Sequence, residues 1–238
     1  MRFVQLPVLY ALGLLLVPGG GCTSSTNGAD AFGGDLPAPL DLSVCDPANG
    51  PFSLVIDTGF CPIVVGATWA MEGKDGTNTV HIAWTVLDAT EAIEGVTTRV
   101  VEERQSVNGA VSAVLRHYFA GAPDGTVCNF GRDVDVYSGG TVSSHEGTWR
   151  AGGANHPGIR RPASPALDQS WAIEYAPGVA ETNAIVTGAG VVVALTSGTF
   201  TDTLVTSEWT PLEPGRTARI YARGVGPIAQ GTLKLLPK

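Results

Sequence analysis

No stretch of this chain shows the apolar spacing of a long helix, and no segment repeats another. These absences argue against a helical bundle, a parallel sheet crossed by helices, or a solenoid. Catalytic signatures are missing too. There is no Gly-x-Ser-x-Gly elbow, phosphate loop, paired Cys-x-x-Cys motif or His-Glu-x-x-His. Seryl hydrolysis, phosphate cradling and zinc proteolysis therefore lose their usual sequence support. Bases are scarce: 14 Lys and Arg stand against 22 Asp and Glu, a net charge of −8. Non-specific nucleic-acid binding needs a basic footprint, and this chain has none. An anionic surface favours cations or neutral ligands.

The one long apolar run, Phe3 to Val17, is shorter than the ~20 residues a spanning helix requires. It follows Arg2 and precedes Pro18, Gly19-Gly20-Gly21 and Cys22. Residues 1–21 read as a signal peptide of lipoprotein type, cut before Cys22 so that its sulfur carries lipid. Gly21 fits the small residue wanted before the cysteine. Gly19 departs from the Leu usual three positions ahead. Residues 22–44 are rich in Ser, Thr, Gly, Ala, Asp and Pro and read as a lipidated, flexible tether. Residues 45–238 remain for a single all-β domain. The expected address is the cell envelope, membrane-anchored on the periplasmic or outer-membrane side. Cysteines are few: with Cys22 lipidated, Cys45, Cys61 and Cys128 are left. Proximity in sequence predicts a Cys45–Cys61 disulfide, in keeping with an oxidising compartment.

What the chain does have is turns. Asn108-Gly109, Asp124-Gly125 and Gly139-Gly140 each sit between runs of strand-forming residues. Two-residue hairpin loops need positive φ at both central positions, and these pairs supply it. Counting outward, Val101 faces Arg116, Arg116 faces Asp133, and Asp133 faces Glu146. Thr79 to Val86 alternates, with Val80, Ile82, Trp84 and Val86 on one face. Further strands are expected at 53–56, 64–71, 141–150, 171–175, 181–186, 191–195, 199–209, 216–223 and 226–235, with a crossing loop at 151–169. A meander of this length must curl into a barrel, half-barrel or sandwich.

Two constellations follow from that register. The first is Arg116, Asp133, Asp135 and Glu146, on the face of Val80, Ile82, Trp84, Val86, Val101, Val114 and Tyr118. Opposed carboxylates destabilise a strand pair, so Asp133 and Glu146 need Arg116 or a divalent cation such as calcium or magnesium. The second, on the other face, is Glu102, His117, Arg132 and His145, which suits acid–base chemistry or zinc or copper. Glu174 and Glu208 read as ordinary strand ends. The five tryptophans, Trp69, Trp84, Trp149, Trp171 and Trp209, read as core or as a sugar or lipid pocket.

Segments including Tyr118-Phe119-Ala120, Asp133-Val134-Asp135, Glu146-Gly147-Thr148-Trp149, Glu174-Tyr175-Ala176-Pro177-Gly178 and Thr210-Pro211-Leu212-Glu213-Pro214-Gly215 resemble a group of exported bacterial all-β proteins and lipoproteins. The resemblance implies export and an all-β fold, and no activity. The functional expectation is an anchored binding or structural module for a small-molecule, glycan or lipid ligand. The alternatives are a metal-assisted hydrolase and a lipid carrier.

Overall fold

The fold is that of a computed structural model, which describes residues 38–56 and 59–238. The expected signal peptide, Cys22 and the tether as far as residue 37 lie outside the described residues. Two short 3-10 turns, Leu42–Cys45 and Pro47–Asn49, lead into strands. In chain order these are β1 (Thr68–Asp75), β2 (Asn78–Ile93), β3 (Val96–Val107), β4 (Ala110–Gly121), β5 (Val127–Ser138) and β6 (Thr141–Ser144). The short strands β7 (Trp149–Arg150), β8 (Gly158–Arg161) and β9 (Ser170–Ala172) follow. Then come β10 (Asn183–Ala189), β11 (Val193–Leu195), β12 (Gly198–Phe200) and β13 (Thr203–Thr210). The last three are β14 (Glu213–Ala222), β15 (Gly226–Gln230) and β16 (Leu233–Leu235).

The protein is all-β, as expected. Fourteen strands form one antiparallel sheet in the order β6-β5-β4-β3-β2-β1-β16-β15-β14-β13-β10-β9, with β7 and β8 also on β5. β11 and β12 pair as a separate hairpin. The sheet is open but strongly curled. Its two flanks approach where His156 N donates to Tyr175 O at 2.9 Å and Asn129 Nδ2 donates to Ile173 O at 3.1 Å. Gly158 sits at this seam, where a Cβ would collide with the Ile173 carbonyl. The concave side is built by alternation. Val80, Ile82, Trp84 and Val86 of β2 are buried with Met71, Val101, Phe119 and Leu233, each contributing roughly 1.5–3 kcal/mol by leaving water.

Cys45 is bonded to Cys128, 83 residues away, and Cys61 is a buried free thiol. This corrects the expected Cys45–Cys61 pair. The segment from Leu40 to Phe52 packs across the sheet onto β5, with Phe52 edge-on to Phe130 at 5.4 Å and Leu40 N bonded to Ser170 O. Residues 38–44, expected in the tether, thus belong to the packed domain. The expected strand 141–150 breaks into β6 and β7, and the expected loop 151–169 contains β8.

Candidate ligand cavity

Register decides which side chains enter the concavity. Asn108 and Gly109 both have positive φ, 50° and 84°, and Val107 pairs with Ala110 as counted. One residue further on, the count fails. Ser106 pairs with Val111 but Gln105 pairs with Ala113, leaving Ser112 as an extra residue in β4. Such a bulge shifts every later side chain by one place. Val101 therefore faces His117, and Arg116 faces Glu102. This corrects the expected Val101–Arg116 pairing and separates Arg116 from the inward row of Val80, Ile82, Trp84 and Val86.

The expected Arg116–Asp133 pairing does occur. It arises from two offsets that cancel: the Asp124-Gly125 turn closes one place further out, at Gly121 and Val127, and a bulge at Phe130 restores the count. Asp133 does not face Glu146. The chain loops out between Ser144 and Trp149, Glu146 is exposed there, and β7 brings Arg150 to Asp133 instead.

The first constellation thus lies on the outer face, self-neutralised. Arg150 holds both oxygens of Asp133, at 2.5 and 3.0 Å, and Tyr118 donates to the same carboxylate at 2.6 Å. The Arg150 hydrogen bond keeps the Asp133 carboxyl below its usual range. Burial, then the Asp133 hydrogen bond, pushes the Tyr118 phenol up to about 12. Arg116 reaches Asp135 at 3.2 Å and Glu102 at 3.7 Å, and His145 Nδ1 lies 2.9 Å from Asp135.

The second constellation divides. Glu102 and His145 join that outer network, while His117 and Arg132, paired across β4 and β5, point into the concavity. Among the described residues, no three His, Cys, Asp or Glu side chains are grouped to hold a metal ion.

The concavity encloses about 130 Å³. Glu103, not Glu102, is the acid beside His117. Its Oε2 lies 3.0 Å from His117 Nε2 and accepts from Trp84 Nε1 at 3.0 Å, and its Oε1 accepts from Gln105 at 2.7 Å. Burial alone would raise the Glu103 carboxyl. The His117 hydrogen bond and charge, with Gln105 and Arg219, outweigh it and bring the value down to about 2.

Two further buried acids line the floor, both away from the strand-end roles expected of them. Glu174 meets Arg132 at 2.8 Å and accepts from Thr182 at 2.6 Å and Trp149 Nε1 at 3.4 Å. Glu208 meets Arg219 at 2.8 Å and accepts from Tyr221 at 2.9 Å. Both carboxyls are held low: against the upward pull of burial, Arg132 chiefly acts on Glu174, and Arg219 on Glu208. Arg160 and the Cys61 thiol line the same space. Ile82, Trp84, Val101 and Phe119 form an apolar wall opposite.

Chemically, the cavity offers donors, acceptors and one apolar side to something small. A water occupies roughly 10–15 Å³ by this measure, so the space suits an occupant of roughly ten non-hydrogen atoms. No protein-family profile matches this chain, and neither curated proteins nor solved structures show a significant match.

Proposed function

We propose that this protein is an exported, lipid-anchored binding module that holds a small polar ligand inside its curled sheet. The observation that carries the reading is the concavity itself. Glu174 and Glu208 are buried around that space, and Glu103 is nearly so. Buried ion pairs contribute little net stability compared with apolar packing, so three of them lining one cavity point to recognition rather than to core building. A lipid acyl chain would lie against these ions, which makes a lipid the poorer occupant. The Cys45–Cys128 disulfide supports an oxidising, exported setting.

Five tryptophans give five indole signals, and Trp84 bonds to Glu103 at the cavity wall. With 15N-labelled tryptophan, small polar ligands should move the Trp84 indole signal and leave that of Trp209 in place. A fragment panel that moves no indole signal, or only that of Trp209, would sink the cavity reading. Replacing Cys22 with Ser should release the protein from the membrane fraction; retention there would refute the anchor.

The His117–Glu103 pair also supports a second reading, since a carboxylate-oriented imidazole is what general acid–base chemistry uses. Turnover of a bound ligand that is lost in His117→Gln would favour an enzyme over a carrier.

A further inference from the structure

Three of the basic side chains in the cavity meet a carboxylate each: Arg132 meets Glu174, Arg219 meets Glu208, and His117 meets Glu103. Arg160 differs. Among the described residues its guanidinium has no hydrogen-bond or ion-pair partner, although it lines the cavity. The placement follows from the backbone. β8 pairs with β5 through Val127–Arg161 and Cys128–Ile159, so Arg160 is the extra residue of a bulge. Bulges re-aim a side chain out of the regular alternation, and here the re-aimed side chain reaches the cavity.

The next residue extends the imbalance. Arg161 is buried, with its guanidinium 3.7 Å from the Tyr221 ring centre and 5.5 Å from that of Trp171. Among the described residues, none of its three guanidinium nitrogens has a hydrogen-bond partner. Tyr221 in turn donates to Glu208, which places Arg161 under the cavity floor. Among the described residues, Arg160 and Arg161 thus stand at the cavity with no carboxylate in ion-pair contact. Asp75 stands at the rim, beside the β1–β2 turn.

We infer that the ligand is a small monocarboxylate, and that Arg160 receives its carboxylate while Ile82, Trp84, Val101 and Phe119 cover its apolar part. This inference rests on the cavity reading above and names the ligand class for it. A guanidinium offers a planar fork that matches a carboxylate with two parallel hydrogen bonds.

The test compares benzoate with benzamide, which share shape and size and differ in charge. Both are titrated into the purified protein, with the Trp84 indole signal and calorimetry as readouts. Benzoate should move the Trp84 signal and bind at least about tenfold more tightly than benzamide. Arg160→Gln should bring benzoate down to the affinity of benzamide and leave benzamide unchanged. Arg160→Lys should keep part of the preference. Equal binding of the two probes would overturn the monocarboxylate assignment while leaving the cavity as a binding site. Failure of both probes to move the Trp84 signal would overturn the assignment and the cavity reading together. Loss of both probes from a folded Arg160→Gln protein, or inorganic phosphate competing as well as benzoate, would also overturn it.

Discussion

Glu103→Gln isolates one titrating group in the cavity. In the folded protein the Glu103 carboxyl is held at about 2 against an ordinary 4.5, and its side chain is only 13 % exposed. A depressed carboxyl stabilises the fold above its unfolded value and loses that contribution as pH falls towards its folded value. The window is therefore about pH 4.5 down to about pH 2. At 1.36 kcal/mol for each pH unit of displacement, the contribution at neutral pH is about 3 kcal/mol. The assay is urea unfolding of both proteins at intervals from pH 6 to pH 2 with the disulfide intact. Other carboxylates titrate alike in the two proteins and cancel in the difference. The advantage of the wild type over Glu103→Gln should shrink by about 3 kcal/mol across that interval. A difference that stays constant from pH 6 to pH 2 would refute the buried Glu103–His117 pair.

Two more outcomes are expected from the disulfide and the outer charge row. Replacing both Cys45 and Cys128 with Ala opens a loop of 83 residues, worth about 4–5 kcal/mol in the chain-entropy picture; peptide mapping that finds Cys45 joined to Cys61 would contradict this. Arg150→Met leaves Asp133 and Tyr118 without their guanidinium and should cost about 1–3 kcal/mol. Glu146→Gln, on an exposed turn, should stay within about 0.5 kcal/mol of wild type. Equal effects of these two substitutions in thermal unfolding would show that the chain does not loop out between Ser144 and Trp149.

The strands and two hairpin turns were legible because their chemistry is local. Alternation in β2 is visible within eight residues, and Asn108-Gly109 and Gly139-Gly140 announce positive φ by composition. Bulges have no such signature. Ser112, Phe130 and Arg160 are ordinary strand residues in the sequence, yet each displaces the alternation beyond it. Counting from the turns brings Arg116, Asp133 and Asp135 together, and the structure sets them side by side on the outer face and not on the inner one. His117 lines the cavity, and its acid is Glu103, one position from the expected Glu102. Glu174 and Glu208 look like amphipathic strand ends until the curl brings Arg132 and Arg219 to them. Cys45 is near Cys61 in sequence, yet the segment carrying it crosses the sheet to Cys128 on β5. Each miss concerns a contact fixed by sheet curvature, which no short window of sequence contains.

If the bulge at Ser112 sets the inner face of β4, single-residue deletions should be tolerated very unequally. Deleting Ser112 removes the extra residue and leaves Gln105 with Ala113 and Ser106 with Val111. The ladder becomes regular, and Leu115, His117 and Phe119 still face inward. Only the local twist contributed by the bulge is lost, so melting should stay within the few degrees that about 1 kcal/mol represents. Deleting Arg116 removes the same amount of chain further along. The slack at Ser112 then lets residues 113–115 slide by one place. Leu115, now 8 % exposed, would take the outer position of Arg116, and Val114, now 2 % exposed, would turn inward. Exposing one such side chain costs roughly 1.5–3 kcal/mol. Asp135 and Glu102 would also lose their shared guanidinium. Thermal unfolding and the Trp84 indole signal of the two deletion proteins decide the matter. Similar melting temperatures, or a displaced Trp84 signal after Ser112 deletion, would mean that the face of β4 is fixed by the turn at Asn108-Gly109 and not by the bulge.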